Sequence, residues 1–198
     1  MKYSARITSE ELEKMGFVAF EGNVQVITEV GEEFFKAIKY LKEQRVIGFD
    51  TETKPCFIQK MPRNKMAILQ LSGADRAFIF RLQQIGLPDK LAKLLANPSV
   101  KKIGAAVHDD IRGLQAYRSF VPAGFIDLQR LSGEYGIEEK SVRKMSAIIL
   151  GKKVSKSQQL SNWENSQLSE AQIRYAATDA WVCKVMYEKL MSEAENNG

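Results

Sequence analysis

Arg45-Val-Ile-Gly-Phe-Asp-Thr-Glu52 is the stretch on which the reading of this chain turns. An apolar run of this length, bounded by charged residues, predicts a buried strand. Phe34, Phe35, Ile38 and Leu41 recur at helical spacing just before it, so residues 32–43 are predicted to form a helix that feeds the strand. Strand alternation then places Asp50 and Glu52 on one face, at or just beyond the strand's C-terminal end. Taken alone, an Asp-x-Glu at a strand end is most often a pair of solvated acids.

The neighbouring segments supply a sheet. Met66–Leu71 and Arg76–Phe80 have strand character, and Ser72-Gly-Ala-Asp75 between them has the residues of a hairpin connection. On the N-terminal side, a strand is expected over Val24–Val30. Before it, the capping box Thr8-Ser-Glu-Glu11 starts a short helix ending at Gly16. Further along, a helix over Asp89–Leu95 stops at Asn97-Pro98 and a strand follows at Lys101–Val107. The remainder is expected to be helical, closing with a long helix from about Ser169 to Ala194. This order predicts an α/β layered domain with a mixed central sheet flanked by helices. Residues 1–23 are expected to be a lead-in packed on a single domain over 24–194. Gly151–Gln159, polar and basic, is expected to be a surface loop.

Composition narrows the chemistry. The 198 residues, 44% hydrophobic and 27% charged, suffice for one domain with a sizeable core. Twenty-nine basic against 24 acidic residues give a net charge of +5, a mild fit to a polyanionic partner. With Cys56, Cys183 and His108 as the whole cysteine and histidine complement, a Cys/His zinc site cannot be assembled, and any metal must sit on oxygen ligands. No stretch approaches the roughly 18 apolar residues of a membrane span, and no secretory leader is evident. A cytoplasmic location is expected, with the nucleus as the eukaryotic alternative.

Two further acidic motifs accompany Asp50 and Glu52. In Ile103-Gly-Ala-Ala-Val-His-Asp-Asp110 a strand runs into a helix, and Asp110 shares a helix face with Leu114 and Tyr117. Asp109 suits a first-turn role at the helix N-terminus, so Asp110 is the candidate functional acid. In Tyr175-Ala-Ala-Thr-Asp179 the i, i+4 spacing puts a phenol and a carboxylate on one helix face. Beside them, Ala176 and Ala180 open a stripe of small and buried residues that lets the helix approach the sheet closely.

In this order, the three motifs resemble the DEDDy 3′–5′ exonucleases, most of all the RNase D and Werner-type exonuclease domains. Val46–Glu52, Ala67–Leu71, Lys156-Ser157 leading to Ser161-Asn-Trp163, and Leu168–Ala180 are similar to that family's blocks. The resemblance covers residues 24–190. It implies an RNase H-like exonuclease fold and release of nucleoside 5′-monophosphates from the 3′ ends of single-stranded or 3′-ended DNA or RNA, with DNA placed slightly ahead. It also implies two divalent ions, Mg²⁺ or Mn²⁺. Asp50 would bridge them, Glu52 and Asp179 would complete the site of the attacking water, Asp110 would hold the second ion, and Tyr175 would orient the water. An unperturbed phenol, with a pKa of about 10, is too weak a base near neutrality to do more than position it.

Met66 and Phe57 are expected to hold the terminal base, with Phe49 and Ile68 better explained as core. Among the loop cations Lys54, Lys60, Arg63, Lys65, Lys152, Lys153 and Lys156, only Lys156 lies in a matching block and is assigned to substrate. His108 and Trp163 are expected to be structural. A binding module of the same fold that has lost hydrolysis is the main alternative, and an interaction protein with a structural cation site is another. The segment from Lys54 to Lys65 matches nothing closely.

Overall fold

The computed structural model describes residues 3–56 and 64–196. The expectations for Phe57, Lys60 and Arg63 lie outside the described residues. Along the chain, α1 (Ser9–Lys14) leads to β1 (Asn23–Ile27), α2 (Glu32–Glu43) and β2 (Val46–Thr53). Strands β3 (Met66–Ser72) and β4 (Arg76–Arg81) form the hairpin, followed by α3 (Leu82–Ile85) and α4 (Asp89–Leu95). The order closes with β5 (Lys101–Gly104), α5 (Val107–Gln115), β6 (Phe125–Asp127), α6 (Leu128–Glu134), α7 (Val142–Leu150) and α8 (Glu170–Asn196).

The strands hydrogen-bond in the order β1-β4-β3-β2-β5-β6. Pairing is antiparallel on both sides of β3 and parallel elsewhere, so β3 alone runs against its neighbours and the sheet is mixed, as predicted. One face is covered by α2 and α4, whose Phe34, Ile38, Leu41, Leu91 and Leu95 pack with Phe49, Leu71 and Phe80 of the sheet. The other face carries α8, with α6 and α7 beside it, around Ile103, Met145, Cys183, Met186 and Leu190. The α8 stripe of small and apolar residues at helical spacing is what allows this burial.

Several boundaries differ from expectation for identifiable reasons. The strand predicted to reach Val107 stops at Gly104, because Ala106 takes a left-handed conformation (φ 56°) and turns the chain directly into α5. Strand β6 was not foreseen: it is three half-buried residues at the sheet edge, too short for a periodic signal. β1 stops at Ile27, leaving Val30 half exposed, and α1 stops at Lys14. The 151–159 loop is not wholly superficial. Lys153 bridges to Phe17 through backbone pairing, and its ammonium is buried against the Glu13 carbonyl at 2.9 Å. Lys153 is therefore removed from the set of cations free to meet substrate.

Candidate active site

The site forms where the end of β2 passes under α8. Gly48 makes the approach possible: a Cβ there would stand 1.9 Å from the Ala180 carbonyl oxygen. With α8 this close, Tyr175 and Asp179 face the β2 acids. Ligand atoms of Asp50, Glu52 and Asp179 lie within 4.8 Å of one another, all three residues half-buried. The start of α8 is fixed by a reciprocal cap, in which Gln172 N–H donates to Ser169 Oγ and Ser169 N–H to Gln172 Oε1. The same Gln172 amide donates to Ser161 Oγ and the Asn162 carbonyl, tying the preceding loop to the helix. Next along that loop, Trp163 is fully buried with its ring 5.9 Å from that of Tyr175, confirming its role as a packing anchor.

Crowded acids in a partly dry site resist ionisation. Burial, and then the charges of Glu52, Asp179 and Asp110, hold Asp50 well above the usual carboxylate range. Glu52 is pushed up to about 8, first by burial and then by Asp179 and Asp110. Burial also raises Asp179 to about 7 against the opposing hydrogen bond from Tyr175. Tyr175, buried beside Asp179 and Glu52, is raised above an ordinary phenol and stays protonated near neutrality. Its hydroxyl is directed at the Asp179 carboxylate, the interaction that opposes the rise of Asp179. An all-carboxylate set of this kind suits a hard divalent cation, which would relieve the mutual repulsion.

Asp110 reaches the cluster from the other side of β2. It accepts a 2.6 Å hydrogen bond from Thr51 Oγ1, the residue between the two strand acids, and it stands apart from the close set of three. Burial pushes it up to about 6. Its neighbour Asp109 points outward, 4.0 Å from Arg112. His108, also exposed on the first turn of α5, takes no part in the cluster. Asp127 belongs to none of the three acidic motifs of the sequence. Its Oδ1 accepts from the N–H of left-handed Ala106 at 3.1 Å and from Gln129 N–H at 2.8 Å, so it fixes the turn that delivers Asp110. The signal was Pro122-Ala-Gly before Phe125-Ile-Asp127, a turn, a β-forming pair and a helix cap.

Two hollows flank the acids. A cleft of about 570 Å³ is lined by Glu52, Lys54, Lys65, Met66, Asp109 and Asp110 among others. Met66 forms part of its wall, while Phe49 and Ile68 are wholly buried in the core. Lys54 leans to Glu164 at 3.5 Å, and Lys65 lies over the Tyr117 ring. A smaller hollow of about 220 Å³ lies against Tyr175 and Asp179, with Ser155, Ser157 and Arg174 in its wall. Lys156 is exposed between those two serines.

The arrangement has counterparts. A family model described as 3′–5′ exonuclease matches residues 26–195. The chain belongs to the 3′–5′ exonuclease family. It is 28% identical to the bifunctional 3′–5′ exonuclease/ATP-dependent helicase WRN of Mus musculus, over 90% of this chain and 13% of that protein. It is 25% identical to ribonuclease D of Gluconacetobacter diazotrophicus, over 87% of this chain and 44% of the other. The chain thus spans less than half the length of these two relatives. In structure it is similar to the Nibbler EXO domain of Aedes aegypti, with a TM-score of 0.80, 24% identity, and 91% and 94% of the two chains covered. That likeness establishes the predicted RNase H-like exonuclease fold. An acidic cluster able to hold metal accords with family membership, and among the described residues no helix is long and apolar enough to cross a membrane.

Proposed function

We propose that this exonuclease-family chain removes nucleotides one at a time from nucleic-acid 3′ ends as nucleoside 5′-monophosphates, with two divalent cations, Mg²⁺ or Mn²⁺. The observation that carries the reading is the close set of Asp50, Glu52 and Asp179, with Tyr175 bonded to the last of them, beside an open cleft. Asp50, Glu52 and Asp179 would hold one cation, and Asp50 with Asp110 the other. Bound there, the cations would supply an activated water and offset charge on the departing oxygen. Tyr175, which stays protonated near neutrality and so has no site free to take the proton, would position the water through its hydroxyl oxygen. The water gives up a proton as its oxygen joins phosphorus, the bond to the upstream 3′ oxygen breaks, and that oxygen takes up a proton, so that one water is divided between the two products.

Met66 is assigned to the terminal base, and Lys156 to backbone phosphate near the mouth of the smaller hollow. Lys54 and Lys65, at the rim of the larger cleft, are further phosphate contacts of the kind that position a strand without reading it. DNA is placed slightly ahead of RNA. The test is digestion of matched DNA and RNA oligonucleotides, 3′-labelled and single-stranded or recessed, with Mg²⁺ or Mn²⁺. Mononucleotide release that stops with chelator is expected. Binding without release would leave an inactive binding module, and cation-dependent melting with neither binding nor release would leave a structural cation site.

A further inference from the structure

Gln70 faces the carboxylate cluster from the neighbouring strand. The register pairs it with Asp50 across β2 and β3, and with Ile79 across β3 and β4. Directly opposed residues of antiparallel strands share a face, with Cβ atoms about 4.5–5.5 Å apart. Asp50 points to the α8 face, where it meets Asp179, so Gln70 does too. Gln70 is 1% exposed, and neither its Nε2 nor its Oε1 has a hydrogen-bond partner among the described residues. A buried carboxamide with two donors and two acceptor sites unmatched is a rare arrangement in a folded protein, and it calls for an explanation.

The surroundings supply complementary groups. Trp163 Nε1 is also buried without a partner among the described residues, and Trp163 packs in one cluster with Ile68 and Ile79. Those isoleucines flank Gln70, Ile68 two residues away on the same face of β3 and Ile79 directly across on β4. An indole is a donor only, and a metal-ligating carboxylate is an acceptor only. One orientation of the amide serves both, with Oε1 toward Trp163 and Nε2 toward Asp50.

We propose that Gln70 is a positioning residue for the cation site, its Nε2 donating to the Asp50 carboxylate when Asp50 ligates a divalent cation and its Oε1 accepting from Trp163 Nε1. This extends the reading of the acids as a cation site and rests on it. Hydrogen-bond donors behind a ligating carboxylate set its orientation, and their loss commonly weakens metal binding ten- to a hundredfold, roughly speaking. The same contact would link the cation to the loop that carries Trp163, and through the Trp163 ring to Tyr175.

The experiment is calorimetric titration of Mn²⁺ into the wild-type chain, Gln70→Met and Gln70→Leu at one pH, with thermal melts in chelator alongside. The expected result is that Gln70→Met stays folded in chelator, since the contact to Asp50 forms only with the cation, yet binds Mn²⁺ about tenfold more weakly or worse. Gln70→Leu, which removes both the donor and the acceptor without adding a charge, is expected to bind more weakly as well. Wild-type affinity in either folded variant would overturn the assignment. So would loss of the folded state in both, because the amide would then support the fold without a cation. A wild-type chain that takes up no Mn²⁺ would instead overturn the cation-site reading itself.

Discussion

Asp50 is buried against the charges of Glu52, Asp179 and Asp110 and, under the proposed function, carries the greatest catalytic load. Asp50→Asn should therefore act in two opposite directions. Activity should fall at least about a thousandfold, because several kcal/mol of charge stabilisation are withdrawn. The melting temperature in chelator at about pH 8 should rise by a few degrees, roughly, because a carboxylate hemmed in by Glu52, Asp179 and Asp110 is gone. Tyr175→Phe removes a positioner and no ligand, so its loss should be smaller, on the order of ten- to a hundredfold, with Mn²⁺ affinity kept. The pH dependence follows from the same crowding. Glu52 at about 8, Asp179 at about 7 and Asp110 at about 6 all titrate above their ordinary values in the folded chain. The folded state thus keeps protons that the unfolded state has released. This contribution is intact below about pH 4 and is lost as pH climbs through about 6 to 8. Melts in chelator should show stability falling across that window, and saturating Mn²⁺ should flatten the fall.

The helices and turns that deliver these side chains give a second class of prediction. Gly48→Ala drives a methyl into the Ala180 carbonyl, which backbone atoms cannot yield to, so α8 must shift with Tyr175 and Asp179. Activity should drop sharply and the melting temperature should fall together with it, unlike the Asp50→Asn result. Asp127→Ala removes the acceptor for two backbone N–H groups at the turn into α5, costing about 1 kcal/mol and loosening Asp110. The sequence made α2 and α4 legible to the residue because apolar spacing and a Pro98 stop agree there. The β3–β4 hairpin was legible from its turn residues. Strand β6 was not, being short and half-buried, nor was the left-handed Ala106, a conformation that only the surrounding packing can impose. The grouping of Asp50, Glu52 and Asp179 was readable because they sit on regular elements whose period fixes their facing. Gln70 stood inside a recognisable block, yet its place beside Asp50 depends on cross-strand register, which one strand's sequence does not encode.

Over the whole molecule, a net charge of +5 is modest, so affinity for nucleic acid should come from a few lysines near the clefts. If Lys54, Lys65 and Lys156 each meet one phosphate of a single strand, log affinity should fall with log salt at a slope of about −2. Lys156→Ala should lower that slope by about 0.7, measured on the Asp50→Asn background to prevent cleavage. Lys153, folded against Glu13 some 140 residues away in sequence, should contribute nothing to it. That long-range contact is why the 151–159 loop was only partly legible: a buried lysine there reads like any solvated one. Under the proposed function, the acids under α8 perform cation-dependent hydrolysis from a 3′ end. The direct measurement follows a 5′-labelled single-stranded oligonucleotide incubated with the chain and Mn²⁺. Products shortening one nucleotide at a time from the 3′ end, with mononucleotide 5′-phosphates released and the reaction lost in chelator and in Asp50→Ala, are predicted. Cleavage that persists in folded Asp50→Ala, or binding of the strand with no shortening, would contradict it.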